Sequence, residues 1–184
     1  MIVLRLAKRI AVWSTTVVAV LALIAALGVM IMGWDSIWEK MAGPADQGPV
    51  NFATLTKTPK PNQALICPEG FCAAAEAKGQ VDRQSPIYAL SADQLKQELL
   101  RSLETENDLT RVDDESEENR MRFVQRTARL RFPDSIRVEI VPLSNGRSSI
   151  ALYSQSQIGT SDLGVNAKRM NRWLKRLAQF EAKV

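Results

Sequence analysis

No histidine occurs anywhere in the chain. Without an imidazole, neither a Ser-His-Asp nor a Cys-His catalytic arrangement can be built, because both use the ring to carry a proton near neutral pH. Cysteine is almost as scarce, with Cys67 and Cys72 in the stretch ICPEGFC as the only two. Two thiols and no histidine cannot close a tetrahedral structural zinc site from its usual ligands, and the C-x-x-C-H signature of covalent haem attachment is missing. No catalytic residue, metal ligand or cofactor is therefore assigned. An enzyme would have to use a carboxylate or Ser-Lys mechanism, with Asp134 or Asp162 meeting a serine or lysine in a cleft, and no local motif marks one.

What the chain does contain is one long apolar run. Ile10 to Met32 is 23 residues without a charge, enough at about 1.5 Å per residue to cross a hydrocarbon core of about 30 Å. Arg5, Lys8 and Arg9 precede it, whereas Asp35, Glu39 and Lys40 follow. That bias places residues 1–9 in the cytoplasm and everything after the span outside, in a bacterial periplasm. Trp13 near one end and Trp34 and Trp38 at the other fit an interfacial aromatic belt. A cleaved signal peptide is the competing reading, but its apolar region is shorter, about 7–15 residues. Residues 10–32 are thus expected as an integral membrane helix. Pro44, Pro49, Pro59 and Pro61 then mark 33–61 as a juxtamembrane segment and hydrated tether, leaving 62–184 for one small domain.

Outside the cytoplasm, the simplest chemistry for Cys67 and Cys72 is a disulfide. Closing so short a loop contributes only about 2 kcal/mol, so it pins a turn more than a fold. Pro68 and Gly70 suit that turn. A redox-active thiolate would want a two-residue spacing or a basic neighbour.

The domain reads as α+β. Ser91 and Gln94 form a capping-box pattern ahead of Leu95, Leu99, Leu100 and Leu103, predicting an amphipathic helix on the N-terminal side. Four strands follow, at about 109–114, 120–132, 135–143 and 148–158. Ile136, Val138 and Ile140 alternate with Arg137 and Glu139, as in a strand with one buried face. Asn145-Gly146 is a favoured hairpin turn. In the second strand Met121 and Phe123 share one parity and Ala128, Leu130 and Phe132 the other, which a bulge near Val124 to Thr127 would reconcile. The expected architecture is a curved four-stranded antiparallel sheet packed by this helix and a C-terminal amphipathic helix.

Eight acidic residues between Glu104 and Glu118 precede five arginines at Arg120, Arg122, Arg126, Arg129 and Arg131. Cross-strand pairing on a solvated hairpin is the plain reading, and a charged-ligand patch the sharper one. The final helix, starting near Asp162, places Leu163, Met170, Trp173, Leu174, Leu177 and Phe180 on one face. Lys168, Arg169, Arg172, Lys175 and Arg176 form a candidate basic face opposite, suited to anionic lipid or an acidic partner. Ser154, Ser156, Gly159, Ser161, Asp162, Gly164 and Asn166 form a candidate binding loop at the helix start. Turn and capping geometry explains several of them without a ligand. Ser154 and Ser156 share parity with Ile150, Leu152 and Ile158, so both hydroxyls point inward, either lining a polar pocket with Arg126 or satisfied within the core.

The stretches PKPNQALICPEGFC, TARLRFPDSIRVEIVPL and ALYSQSQIGTSDLGVNAKRMNRWLKRL resemble the domain-of-unknown-function family fourteen-ninety-nine (DUF1499) across about residues 51–180. That resemblance implies an envelope or membrane-attached accessory domain and brings no catalytic residues. The expectation is a noncatalytic accessory or interaction subunit docking on another membrane or envelope protein, without nucleic acid as partner. A module binding a small anionic or amphipathic ligand between sheet and last helix is the second expectation, and a hydrolase the third.

Overall fold

The computed structural model describes residues 2–116 and 118–183. Met1, Glu117 and Val184 lie outside the described residues, as do the side chains of residues 2–8, Arg5 and Lys8 among them. Helix α1 runs Ile2–Ala42 and is broken at Gly33, whose φ of 72° and ψ of 156° belong to a backbone region that essentially only glycine enters. Up to that kink the helix is long and apolar enough to cross a membrane, with mean hydropathy 2.6 and none of its apolar window buried against the rest of the protein. A buried core helix of a soluble protein would show the opposite.

Beyond α1 the chain forms β1 (Gln63–Cys67), a single turn α2 (Ala73–Glu76), β2 (Arg83–Gln84), α3 (Ala92–Leu103), β3 (Leu109–Arg111), β4 (Arg120–Arg126), β5 (Pro133–Pro142), β6 (Ser148–Ser156) and α4 (Val165–Leu177). The sheet therefore has six strands, not four, in the order β2-β1-β6-β5-β4-β3. It is mixed rather than antiparallel, because β1 and β2 pair in parallel, Ile66 opposite Arg83. The reason β1 escapes a periodicity search is that all five of its residues are buried, so no polar alternation marks it.

The expected bulge is absent. β4 and β5 pair without interruption from Arg120 opposite Glu139 to Arg126 opposite Pro133. The change of parity arises because residues 127–132 form the hairpin loop: Thr127 N–H donates to the Phe132 carbonyl and Arg131 N–H to the Thr127 carbonyl. At the next hairpin, Asn145 and Gly146 both adopt positive φ, 59° and 67°, as a turn matching the sheet's twist requires.

Helices α3 and α4 cover one face of the sheet. Ser91 and Gln94 complete the capping box, and Leu95, Leu99 and Leu103 pack with Met170, Trp173, Leu174 and Leu177 over Ile136, Val138, Ile140, Ile150 and Leu152. Trp173 meets Phe123 edge to face at 6.1 Å. The opposite face, expected to be solvated along β5, is also buried. Residues 44–52, read as a hydrated tether, lie across it as a strap: Ala45 and Phe52 are buried. The Ser135 hydroxyl donates to the Ala45 carbonyl and Arg137 Nε to the Gly48 carbonyl. Phe52 joins Leu65, Ala151, Tyr153 and both cysteines in a second, smaller core. A proline-rich strand cannot join a ladder readily, but its carbonyls still accept bonds from side chains. Cys67 and Cys72 stand at disulfide distance, their Cα atoms 6.2 Å apart.

Candidate functional site

Ser154 and Ser156 do point inward. They meet Asn166 and Arg169 of α4 and Asp134 at the start of β5 in a cluster in which every one of the five is buried. Ser154 Oγ donates to Asn166 Oδ1. Arg169 Nη1 donates to Ser154 Oγ at 3.0 Å and to Asn166 Oδ1 at 2.6 Å, and its Nη2 to Asp134 Oδ2 at 2.6 Å. The other Asp134 oxygen accepts from Ser156 Oγ at 2.6 Å. Asn166 Nδ2 completes the circuit by donating to Ser156 Oγ and to the Asn62 carbonyl. Asn62 in turn donates to the carbonyls of Ser156 and Gly159. Both hydroxyls are satisfied within the cluster, by Asn166, Arg169 and Asp134, the arrangement that a buried polar group needs.

The loop between β6 and α4 explains the remaining candidates. Asp162 caps α4 from below, its Oδ2 accepting from Asn166 N–H at 2.7 Å and its Oδ1 from Gly164 N–H at 3.0 Å. Ser161 Oγ accepts from Leu163 N–H. Gly159 and Gly164 take positive φ, 92° and 76°. The helix therefore begins later than Asp162 indicated, and Leu163 is 85% exposed rather than on the buried face.

The basic face also divides. Arg169 is a core residue, contrary to expectation: it lies on the stripe of Asn166, Met170 and Trp173, and pairing with Asp134 makes its burial tolerable. Arg172 and Arg176 both reach Glu106, at 2.9 Å each. Burial raises the Glu106 pKa, but the hydrogen bonds from Arg172 and Gln125 and the charges of Arg172 and Arg176 outweigh it and hold the carboxyl below the usual range. Only Lys168 and Lys175 of the five carry no ion pair among the described residues.

The arginines of β4 and its hairpin divide: Arg120 pairs across the hairpin with Glu139 at 3.1 Å and Arg122 with Asp46 of the strap, whereas Arg126 and Arg131 reach the end of α1. Arg131 donates to both oxygens of Asp35, at 2.6 and 3.0 Å, and Arg126 meets Asp35 and Glu39, each at 3.3 Å. Trp38 stacks on Trp34, packs on Phe132 with centroids 4.8 Å apart, and donates its indole N–H to the Leu130 carbonyl. Gln157 donates to the carbonyls of Ala42, Gly43 and Pro44. Residues 34–42 are thereby docked on the domain. Arg126 and the inward serines do not share a cavity: Arg126 lines a groove of about 380 Å³ with Gln125, Thr127, Ala128, Val165, Lys168, Arg169 and Arg172, whereas Ser156 borders a separate hollow with Asn62 and Gln157. Among the described residues no cluster of carboxylates or thiols could hold a metal.

The class of protein so defined is a small α+β domain with an interlocked polar cluster where sheet meets helix, carried on an N-terminal helix long and apolar enough to cross a membrane. The chain belongs to the family described as Protein of unknown function (DUF1499), which matches residues 60–177. The match covers the polar cluster, the cysteine pair and α4, and stops short of the anchor and strap. No curated protein matches the chain significantly.

Proposed function

We propose that the chain is a noncatalytic accessory or interaction subunit, anchored in a bacterial inner membrane with its N-terminus cytoplasmic and its domain periplasmic, and docked on another membrane or envelope protein. The observation that carries this reading is the mount itself. Asp35, Trp38 and Glu39, just past the kink at Gly33, are fixed to Arg126, Arg131 and Phe132, so the domain is held at a set height and orientation over the bilayer. A rigid mount presents one surface to a membrane neighbour and lowers the ordering cost of docking. Paired, buried cysteines are in keeping with an oxidising compartment.

The interior argues in the same direction. Asp134 does contact a serine, but both its oxygens are occupied, one by Arg169, and the group is buried. Asp162 is spent on capping α4. The space between sheet and α4 that an amphipathic ligand would need is filled by Trp173, Met170 and Leu174.

Extraction of the native chain in mild detergent, followed by sizing and mass spectrometry, tests the proposal. A stoichiometric membrane protein is the expected companion. A chain that runs alone at every detergent concentration overturns it.

A further inference from the structure

The groove beside α4 is walled largely by cations. Arg126, Lys168, Arg169 and Arg172 line it, and no carboxylate does. The acids that pair with three of these cations, Asp35 and Glu39, Asp134, and Glu106, are not among its walls. Lys168 is exposed and carries no ion pair among the described residues. Arg126 borders the groove, but its guanidinium is held by Asp35 and Glu39 in the neighbouring hollow, which leaves Lys168 as the uncommitted cation. At about 380 Å³ the groove falls within the range of small-molecule sites.

Its position supplies the second argument. Thr127 and Ala128 of the groove belong to the hairpin whose Arg131 holds Asp35 at 2.6 Å, and Asp35 is three residues past Met32, the last of the apolar run. The hairpin therefore stands where the anchor leaves the bilayer. Apolar side chains border it: Leu130, two residues on from Ala128, is 43% exposed, and Val165 of the groove wall 45%. Cations facing a polar hollow beside exposed aliphatic groups match a phospholipid, with phosphate at headgroup level and acyl chain below.

We propose that this groove binds the phosphate of an anionic phospholipid headgroup in the leaflet from which the anchor emerges, an inference that rests on the membrane-mounted reading above. Lys168 is the principal binding cation, with Arg172 able to turn one donor toward the ligand while Glu106 retains Arg176; Arg126 stays with Asp35 and Glu39. The site would fasten the hairpin to the bilayer and so reinforce the mount made by Trp38 and Asp35.

The test uses the full chain, purified in detergent, titrated by native mass spectrometry with phosphatidylglycerol and with phosphatidylcholine of the same acyl chains. Phosphatidylglycerol is expected to bind more tightly. Lys168→Gln should weaken it about fivefold, from the worth of one cation near an anionic surface, and leave phosphatidylcholine unchanged. Lys175→Gln, on the same helix but about two turns away and outside the groove, should leave both unchanged. Lys168 makes no ion pair among the described residues, so the variant should keep the wild-type unfolding midpoint. Equal binding of the two lipids, or equal losses in the two variants, overturns the proposal. Inorganic phosphate that binds Lys168-dependently while neither lipid does would assign the groove to a free anion and equally overturn the lipid. Because only the purified chain is used, absence of a protein companion would leave this comparison intact.

Discussion

The two faces of the sheet each bury an arginine, and they accommodate it differently. Under α4, Arg169 meets a carboxylate, an amide oxygen and a hydroxyl. Under the strap, Arg137 has the Gly48 carbonyl and the ring of Tyr153, 5.8 Å from its guanidinium carbon, and its Nη1 has no hydrogen-bond partner. Burial pulls the Arg137 pKa below its ordinary value, opposed by Tyr153 and Asp46. The helix face is locked by reciprocal charge and hydrogen bonding. The strap face is held by apolar contact, single bonds to backbone carbonyls and one partly exposed ion pair, Arg122 with Asp46 at 3.2 Å, and should be the easier to open.

The sharpest way to break that contrast is Asp134→Ala. It leaves Arg169 buried without its counter-ion, and breaking such a pair costs about 3–5 kcal/mol, readable as a lowered midpoint in chemical unfolding. A loss below about 1 kcal/mol would show the cluster to be no lock. Next comes Phe52→Ala, which should cost about 3 kcal/mol and expose the strap to limited proteolysis between residues 44 and 55 while leaving α4 protected. Uniform protection in that variant would mean that other contacts hold the strap.

Acid should separate the faces by a smaller amount. Since the Glu106 pKa is lowered in the folded state, its contribution is fully present above the ordinary glutamate value and is lost as pH falls through the folded value. Hydrogen exchange of α4 should therefore accelerate at acidic pH, and Glu106→Gln should flatten that dependence. The smallest effect is expected from Arg137→Met, within about 1 kcal/mol of wild type, because no paired carboxylate is abandoned. Arg169→Met, which strands Asp134, should cost severalfold more in the same assay.

Much of the fold was legible from local chemistry. The capping box at Ser91 and Gln94, the hairpin at Asn145-Gly146 and the inward parity of Ser154 and Ser156 depend on neighbours a few residues apart, and all three stand in the structure. The turn between β6 and α4 was legible too, with the Asp162 carboxylate accepting from the Asn166 N–H at the helix start. Arg169 was misplaced because its helical position lies at the edge of the apolar stripe, and only a carboxylate 35 residues earlier decides that it turns inward. Residues 127–132 alternate as a strand would, and only the backbone bonds that close them into a loop explain why their parity departs from that of β4.

Composition and order along the chain thus determined the membrane-length helix, the exclusion of imidazole chemistry, the cysteine pair, the capped start of α3 and the Asn145-Gly146 turn, because each follows from periodicity or from short-range stereochemistry. Tertiary structure alone decided that a proline-rich segment straps the sheet, that Gln63–Cys67 is a central strand and that the arginines of the hairpin grip the anchor. Those outcomes depend on which surfaces meet across 17 to 96 residues of sequence, where burial and charge pairing override any local pattern.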